Sequence, residues 1–522
     1  MTSSCTDTIS ETSQKPFSKN TPCEPDYEVI IIGAGISGLA AAIKLRGEKI
    51  NAFRILERAS GVGGTWRDNQ YPGIAVDISS FTYSYSFEQN PNWSRIFAPG
   101  EDLHNYTKRV AAKYGLYSNI QFNTSVSRAE FDQSNHRWKL DLNDNKVITA
   151  RHIISATGGL ISPKEPEIKG LKSFEGITMH TGRWDDSVDL KGKRVSVIGT
   201  GATAVQLVPE LAKTVGQLNV FQRTPIWILK KPDGKIPAWC KSALRLVPML
   251  QKTARLTTDS LSESVMVLSA IYYKQVPWLV QWAEKAGINN IRQQLPEHPD
   301  LWDKLTPKYG FGCKRPSFSN EYFSAFGNKN VDLLTSPIEH ITKTGIKTKD
   351  GKFHKTDVLV LATGFRVFEK GNLPSYEVIG KTGQDLGDFW EKERHQSYEG
   401  VSVPNYPNFY TILGPYALIA TSYFKTVEGN TTHAIRCIKE ALNRKATSVE
   451  IKQHVHDDYF NDIQKRQKNT VFFNNNCGVA NSYYFDVHGD APMLRPSTSI
   501  ESLWRAKHFP LDNYHYTSLQ AL

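Results

Sequence analysis

The chain has 522 residues, of which 39% are hydrophobic and 22% charged, and this balance excludes a disordered or a fibrous protein. Its length is too great for one simple hydrophobic core, so we expect two or three lobes. The net charge of +11, from 63 basic and 52 acidic residues, indicates a mildly basic surface, and no segment concentrates Lys and Arg densely enough to predict nucleic-acid binding.

The N-terminal segment, residues 1–25, predicts a disordered tail, because it is rich in Ser and Thr and has no apolar run. It lacks the apolar core of a signal peptide and the Arg-rich character of a transit peptide, which predicts a cytoplasmic protein. No run of about 18 consecutive apolar residues occurs, so no integral membrane segment is expected. The six cysteines are widely spaced and form no CxxC pair, which argues against a metal site or a redox dithiol and suits a reducing compartment.

The first predicted unit begins with the apolar, β-branched strand 27–32, which leads directly into a GxGxxG loop. Strong helix formers and a second strand follow, and that strand ends at Glu57, about twenty residues beyond the loop. The loop glycines, Gly33, Gly35 and Gly38, permit a tight turn and the close approach of backbone N–H groups to a pyrophosphate. Glu57 would accept hydrogen bonds from a ribose, so this βαβ unit predicts an FAD site rather than a turn without a ligand.

The second predicted unit repeats this plan after the strand 194–198. Its loop residues are Gly199, Gly201, Thr203 and Ala204. The strand that follows its helix ends in Arg223 and Thr224, so a cation stands where the first unit has Glu57. Because an arginine at this position suits a 2′-phosphate, the second unit favours NADPH over NADH. Two such loops in one chain predict two bound dinucleotides.

Two further strands that end in glycine turns, near Gly158 and Gly364, lie on either side of the second unit. Two chain crossings between lobes require such a pair, which indicates that the second lobe is inserted in the first. The predicted fold is therefore α/β, with two Rossmann-like domains, and the NADPH domain is inserted in the FAD domain. Leu, Met and aromatic residues at helical spacing predict a helical insertion, and the run 407–415 is the expected return strand. The expected limits are 26–162 and 366–522 for the FAD domain, whose second part includes the substrate pocket, 163–236 and 307–365 for the NADPH domain, and 237–306 for the helical insertion.

Two further segments match longer motifs. The run from Gly64 to Asp77 fits GxWxxxx[FY]P[GM]xxxD, and the run from Phe174 to Trp184 fits FxGxxxHxxxW, with Asp185 following. Taken alone, Asp77 is as readily a turn or helix cap as a functional carboxylate. Together the two motifs are the fingerprints of type I Baeyer–Villiger monooxygenases, which this chain resembles from about residue 27 to residue 415.

This resemblance implies an enzyme that uses FAD and NADPH to insert one oxygen atom from O2 into a ketone or aldehyde through a C4a-peroxyflavin, giving an ester or lactone. Its partners would be a small ketone and O2, in a monomer or weak oligomer. Related flavin monooxygenases that oxygenate an amine nitrogen or a sulfide sulfur are the alternative, although they usually carry Tyr or Phe at the position of Trp184. A disulfide reductase shares the two-dinucleotide plan but would need a redox dithiol.

The resemblance also implies roles for individual residues. Arg315, paired with Asp77, would be catalytic, because its permanent charge can stabilise a peroxide and an anionic intermediate on the ketone. Lys314 would join Arg223 in holding the 2′-phosphate, whereas without the resemblance Lys314 and Arg315 would be interpreted as a solvated pair in a loop. His180 would be a hinge histidine between the lobes. The cofactor-binding residues implied beyond the two loops are Gly64, Thr65 and Trp66, and the remaining fingerprint positions, Phe174, Gly176 and Trp184, would be positional.

The C-terminal part departs from the family pattern. Tyr416-Ala417 stands after Gly414-Pro415, where many relatives have Asn-Thr. This region contributes to the substrate pocket in the family, so the identity of the substrate does not carry over. Five aromatic residues are either pocket-lining or ordinary core residues, namely Tyr416, Tyr423, Phe424, Tyr483 and Tyr484.

Overall fold

The computed structural model describes residues 24–519, so nearly all of the tail predicted for residues 1–25 lies outside the described residues. The strands are β1 (Tyr27–Ile32), β2 (Phe53–Leu56), β3 (Ile120–Gln121), β4 (Val126–Asp132), β5 (Arg137–Leu142), β6 (Val147–Ser155), β7 (Ile177–His180), β8 (Arg194–Ile198), β9 (Gln217–Phe221), β10 (Ile228–Leu229), β11 (Ser317–Phe318), β12 (Val331–Leu334), β13 (Ile338–Thr342), β14 (Gly345–Thr348), β15 (Phe353–Lys355), β16 (Val358–Leu361), β17 (Glu377–Ile379), β18 (Phe409–Thr411), β19 (Ser448–Ile451) and β20 (Tyr514–Thr517). The helices are α1 (Ile36–Gly47), α2 (Thr65–Asp68), α3 (Gly100–Lys113), α4 (Ala202–Ala212), α5 (Ala238–Leu246), α6 (Pro248–Ala270), α7 (Pro277–Gln294), α8 (Trp302–Leu305), α9 (Tyr322–Ala325), α10 (Leu386–Glu393), α11 (Tyr423–Arg444), α12 (Gln453–Gln467), α13 (Val471–Asn474) and α14 (Ser499–His508).

The first lobe is built on a sheet with the strand order β17-β4-β5-β6-β1-β2-β3. Strands β1, β2, β3 and β6 are mutually parallel where they pair, as the βαβ pattern predicts. Strand β18 also pairs with β6, in parallel, with Phe409 opposite Ile153, so the predicted return strand rejoins this sheet. The antiparallel pairs β4–β5 and β5–β6 extend the sheet beyond what the sequence analysis predicts.

The second lobe is built on a fully parallel sheet with the order β12-β9-β8-β16-β7. All five of its strands fall between β6 and β17 of the first sheet along the chain. The second lobe is therefore inserted in the first, as predicted. Helices α5, α6 and α7 confirm the helical insertion within it.

The two glycine loops occupy equivalent places in their lobes. Gly33 follows β1 with φ +106°, and a Cβ there would lie 2.7 Å from the carbonyl oxygen of Ala156, just after β6. Gly199 follows β8 with φ +111°, and a Cβ there would lie 2.4 Å from the carbonyl oxygen of Ala362, just after β16. Both positions require glycine, because the backbone is left-handed and a neighbouring strand end is too close for a side chain.

Cys313 and Cys477 form a disulfide across 164 residues of sequence. A disulfide is unusual in the reducing compartment that the wide cysteine spacing suits. Spacing alone does not reveal the pair, because the fold brings together a loop before β11 and a loop after α13. Cys240 and Cys437 carry free thiols. Among residues 24–519, none of the helices is both long enough and apolar enough to cross a bilayer.

Candidate active site

A cavity of about 690 Å³ is lined by residues of both lobes. The first lobe contributes its Gly loop and the end of β2, and the second contributes the start of α4. Arg315 and several residues of the C-terminal part, among them Tyr423, Tyr483 and Tyr484, also line it. Of the predicted cofactor-binding residues, those in the lining are Gly33, Gly35, Glu57, Gly64, Thr65, Trp66, Asp77 and Thr203.

Gly38 does not line the cavity, and its position explains why the loop needs it. A Cβ at Gly38 would lie only 1.8 Å from the carbonyl oxygen of Gly33. The glycine therefore lets the first turn of α1 pack directly on the loop that follows β1.

Glu57 holds the first Gly loop in place from the end of β2. Its carboxylate accepts hydrogen bonds from the backbone N–H groups of Ala34, at 2.7 Å, and Ala59, at 2.8 Å. Burial raises the pKa of Glu57, while these two N–H groups oppose the rise. Each carboxylate oxygen has a further lone pair, so the side chain can also accept hydrogen bonds from a ligand in the cavity.

The segment that starts at Gly64 packs against this loop. Gly64 has φ +53°, and a Cβ there would lie 3.1 Å from the Cα of Gly35. Helix α2 begins at the next residue, Thr65, and Trp66 packs edge-on against Tyr83, with the ring centroids 5.6 Å apart. Tyr83 also lines the cavity, and no sequence signal identified it.

Tyr71 and Gly73 explain the middle of the same motif. The Tyr71 hydroxyl donates to Oε1 of Gln206 on α4, at 2.9 Å. A Cβ at Gly73, which has φ +81°, would lie 2.5 Å from the carbonyl oxygen of Gln206. The motif therefore seats the first lobe on the helix that follows the second Gly loop.

Asp77, at the end of this motif, is joined to Arg315 by two hydrogen bonds. Arg315 donates from Nε to Oδ2 at 2.7 Å and from Nη2 to Oδ1 at 2.8 Å. Both side chains line the cavity, with 29% of Asp77 and 33% of Arg315 exposed to it. The predicted pairing is present, and it points a fixed guanidinium at the interior.

The electrostatics of this pair favour the charged form of both groups. Burial by itself would raise the pKa of Asp77, but the Arg315 guanidinium outweighs it and holds that pKa below the usual value. The carboxylate in turn holds the pKa of Arg315 well above its usual value, although burial opposes this. The pair is therefore an ion pair in which the cation stays charged.

Arg223, Thr224 and Lys314 lie outside the cavity lining, beyond the second Gly loop. Arg223 is exposed at the end of β9, and Thr224 accepts a hydrogen bond at its carbonyl from the Thr200 hydroxyl, at 2.9 Å. Burial and the nearby charge of Arg223 both lower the pKa of Lys314. Among residues 24–519, neither Arg223 nor Lys314 forms a salt bridge with a carboxylate, so the two cations form a site suited to an anion.

The remaining loop positions, Gly199 and Gly201, also lie outside the lining. Gly201 precedes the first turn of α4, and the space beside its Cα is open. Thr203, one residue into that turn, lines the cavity, and its hydroxyl donates a hydrogen bond to the Tyr71 oxygen. The start of α4 therefore faces the space between the lobes.

The residues of the FxGxxxHxxxW motif lie outside the cavity. His180 ends β7, opposite Leu361 of β16, and its Nδ1 accepts a hydrogen bond from the Gly182 N–H at 3.0 Å. Burial lowers the pKa of His180, and its ring packs edge-on against Phe365. This places it where the chain crosses back to the first lobe.

The other three fingerprint positions pack within the second lobe. Phe174 contacts the cluster around Ile341, and Trp184 contacts the cluster that includes Val195. A Cβ at Gly176 would lie 2.5 Å from the Asp357 carbonyl oxygen. These contacts shape the lobe and do not reach the cavity.

The structure separates the five C-terminal aromatic residues into two groups. Tyr423, Tyr483 and Tyr484 line the cavity. Tyr416 and Phe424 are 1% and 0% exposed and belong to the core of the first lobe. The Tyr423 hydroxyl lies 2.7 Å from that of Ser37, at the start of α1.

The segment that carries Tyr483 and Tyr484 is held at both sides. The disulfide attaches Cys477 to Cys313, two residues before Arg315. Asp486 is hydrogen-bonded to Nδ1 of His395, at 2.9 Å. No group of three or more His, Cys, Asp or Glu side chains within the described range could hold a metal ion.

Comparison with known proteins agrees with this arrangement. Residues 30–264 match the family described as "Pyridine nucleotide-disulphide oxidoreductase". The chain is 36% identical over 493 residues to a Baeyer-Villiger monooxygenase of Pseudomonas aeruginosa, covering 94% of this chain and 92% of the relative. It is 34% identical over 490 residues to a Baeyer-Villiger monooxygenase of Streptomyces coelicolor, covering 93% and 92%.

Solved structures show the same fold. The structure of OTEMO in complex with FAD and NADP matches with a TM-score of 0.84 and 26% identity, covering 94% of this chain and 100% of that one. Cyclohexanone monooxygenase from Rhodococcus sp. Phi1, bound to NADP+, matches with a TM-score of 0.82 and 25% identity, covering 95% and 100%. Sequence, site and fold agree, and the chain belongs to the Baeyer–Villiger monooxygenases.

Proposed function

We propose that the chain uses FAD and NADPH to insert one oxygen atom from O2 into a ketone or aldehyde, giving an ester or lactone. The observation that carries this proposal is the Arg315–Asp77 pair, which faces a cavity shared by the first Gly loop and the start of α4. A permanently charged, doubly hydrogen-bonded guanidinium is suited to stabilise negative charge that develops on oxygen.

The cavity fits FAD on the side of the first lobe. Gly33 and Gly64 have left-handed backbones, and side chains at either position would run into neighbouring backbone. The first backbone N–H groups of α1 have no partner in a preceding turn and suit a pyrophosphate, and Glu57 offers free lone pairs for a ribose. When bound, FAD supplies the reaction of its reduced form with O2.

The second lobe fits NADPH. The start of α4 offers backbone N–H groups, and Arg223 with Lys314 offers two cations without a carboxylate partner in the described part of the chain. A 2′-phosphate placed between these cations would neutralise them, whereas NADH would leave them unpaired.

The residues around Arg315 hold its guanidinium in one orientation and limit the access of water to the cavity. Asp77 orients the guanidinium, and Tyr483 and Tyr484 lie beside the pair. Trp66, Tyr83 and Tyr423 supply apolar ring surface to the same cavity. Since water exclusion strengthens charge–charge interactions and prevents wasteful loss of reactive oxygen, this aromatic lining suits an oxygenase.

His180, with Trp184, Phe174 and Gly176, is proposed to set the geometry of the lobe crossing rather than to touch the reactants. The FAD domain is proposed to span 26–162 and 366–522, the NADPH domain 163–236 and 307–365, and the helical insertion 237–306. The protein is proposed to be cytoplasmic, as a monomer or weak oligomer. Oxygenation of an amine nitrogen or a sulfide sulfur is the less favoured function, because Trp184 occupies the position where such enzymes usually have Tyr or Phe.

The test is anaerobic reduction of the purified yellow protein with NADPH, followed by mixing with O2 in a stopped-flow spectrometer, with and without a panel of ketones and sulfides. We expect a transient flavin absorbance that a ketone discharges, with ester or lactone recovered by mass spectrometry. Discharge by sulfides alone would favour the second function. Immediate reoxidation to hydrogen peroxide with every compound would contradict both.

A further inference from the structure

Helix α6 exposes a face that has no charge over four turns. Only Arg255 and Val267 of this 23-residue helix are buried. The exposed residues between positions 253 and 268 are Thr253, Leu256, Thr257, Ser260, Leu261, Ser264, Val265 and Leu268. The outer face of a solvated helix normally carries charged side chains, whereas this face combines Leu and Val with small hydroxyl residues.

The inner face of α6 is largely polar, apart from Val267 in an apolar cluster near its end. Arg255 donates to the Ser84 carbonyl oxygen at 2.8 Å, the Thr258 hydroxyl lies 2.9 Å from that of Thr82, and Glu263 accepts from the Ser499 N–H at 2.7 Å. Because the polar side chains dock the helix on the first lobe, its leucines are directed outward. The usual arrangement of an amphipathic surface helix is thus reversed.

Neighbouring helices extend the apolar surface. Large side chains of α5 and α7 are exposed by 62% to 80%, namely Trp239, Leu246, Trp278 and Trp282, and Met249 of α6 is 67% exposed. Trp278 and Trp282 are four residues apart and share one face of α7. Helix α6 contacts both α5 and α7, and monomeric proteins rarely expose so many large apolar side chains on adjoining helices without a partner.

The exposed charged residues of the segment that carries these three helices are all basic. Within residues 238–294 the exposed charged residues are Arg245, Lys252, Lys274, Lys285 and Arg292. The three acidic residues of the same range are turned to the fold. Asp259 pairs with Lys425, Glu263 bonds Ser499, and Glu284 accepts from the Phe311 N–H.

We propose that α5, α6 and α7 form a docking surface for a membrane that contains anionic lipids. The leucines and tryptophans would enter the boundary between headgroups and acyl chains, and the basic residues would meet lipid phosphates. A second copy of the chain fits less well, because a two-fold interface would bring basic residues at both ends of the face against one another. This inference does not depend on the reaction proposed above.

The test is co-sedimentation of the FAD-loaded protein with phosphatidylcholine vesicles and with vesicles that also contain phosphatidylglycerol. We expect binding to the anionic vesicles and weak binding to the neutral ones. The double substitution Leu261→Ser with Leu268→Ser should lower the partition coefficient by about tenfold or more, because two exposed leucines no longer enter the bilayer. Replacing Lys252 and Lys274 by Gln should lower it by about tenfold on anionic vesicles only.

The matched control is Val147→Ser with Phe353→Ser, which removes two exposed apolar side chains from other parts of the surface. Flavin content and NADPH oxidation without vesicles should be unchanged in all of these variants, which shows that they fold. Equal sedimentation of the wild type and the leucine variant would overturn the proposal. So would light scattering that finds a dimer in the wild type and a monomer in the leucine variant, since a second copy would then cover the face.

Discussion

Arg315 and Asp77 are 238 residues apart in sequence, yet two parallel hydrogen bonds join them at 2.7 and 2.8 Å. One residue belongs to the inserted lobe and the other to the motif that seats the first lobe on α4. The guanidinium therefore reaches its working orientation only when both lobes are folded and in contact.

The first prediction concerns Arg315. Arg315→Ala should leave NADPH-dependent flavin reduction largely intact but lower ester formation by about 100-fold or more, the usual cost of losing a charged donor at a developing oxyanion. Arg315→Lys keeps the positive charge but loses the two parallel N–H donors of the guanidinium, so it should recover only part of the activity. Single-turnover reduction and product yield measure the two steps separately. Arg109→Ala, at an exposed site on α3, is the control, and a normal ester yield from Arg315→Ala would remove the role assigned to this residue.

The second prediction concerns coenzyme choice. Arg223→Ala should weaken NADPH binding by about tenfold, because one charge-assisted contact to the 2′-phosphate at an exposed site is lost. NADH binding should change little, since NADH has no such phosphate. Kd values for both coenzymes test this, with Lys191→Ala as an exposed lysine control in the same lobe. If Arg223→Ala weakened the binding of NADPH and of NADH equally, Arg223 would not contact the 2′-phosphate.

The third prediction is a pH dependence. Protonated Lys314 binds the phosphate, so NADPH affinity is full below the pKa of Lys314 and is lost as pH rises through it. Burial and Arg223 lower that pKa, so the loss should begin at a lower pH than for an ordinary lysine. Lys314→Met should abolish this part of the Kd–pH profile, and Arg223→Ala should move it to higher pH. A profile for Arg223→Ala that does not move would show that the two cations are not coupled.

The fourth prediction concerns the disulfide. Cys477→Ser should lower the free energy of unfolding by about 2–4 kcal/mol, the usual effect of removing a crosslink. It should also raise the hydrogen peroxide formed per NADPH consumed, because the segment with Tyr483 and Tyr484 loses its anchor beside Arg315. Thermal unfolding and peroxide assays measure these effects. Cys240→Ser, which removes a free thiol, should change neither the free energy of unfolding nor the peroxide yield. If Cys477→Ser also left both unchanged, the disulfide would not hold the tyrosine segment in place.

Local patterns account for the parts of this molecule that the sequence predicts well. Strand β1 and the loop that follows it are specified within a dozen residues, because β-branched strand formers, obligatory glycines and helix formers succeed one another. The nested order of the two lobes also follows from sequence, since each crossing ends in a glycine turn. The Asp77–Arg315 pair was predicted only from the family resemblance, because the sequence around neither residue indicates that the two are in contact.

Long-range contacts place the residues that local sequence patterns do not predict. Tyr83 and Gln206 line the cavity, yet each is placed by packing against a distant segment. Tyr423 lines the cavity, whereas the adjacent Phe424 is buried in the core. This difference depends on which face of α11 is turned to the cavity. The disulfide needed the fold as well, since 164 residues separate its cysteines.

That disulfide also determines how the two lobes can move. The two chain crossings lie side by side, bridged between Pro163 and Phe365, and by themselves would act as a single pivot. The bond between Cys313 and Cys477, whose Cα atoms are 5.0 Å apart, is a second fixed point between the lobes. We expect these two links to limit how far the lobes can separate when the cavity opens. Arg315 lies two residues from Cys313, so its guanidinium should move less than side chains farther from the bond.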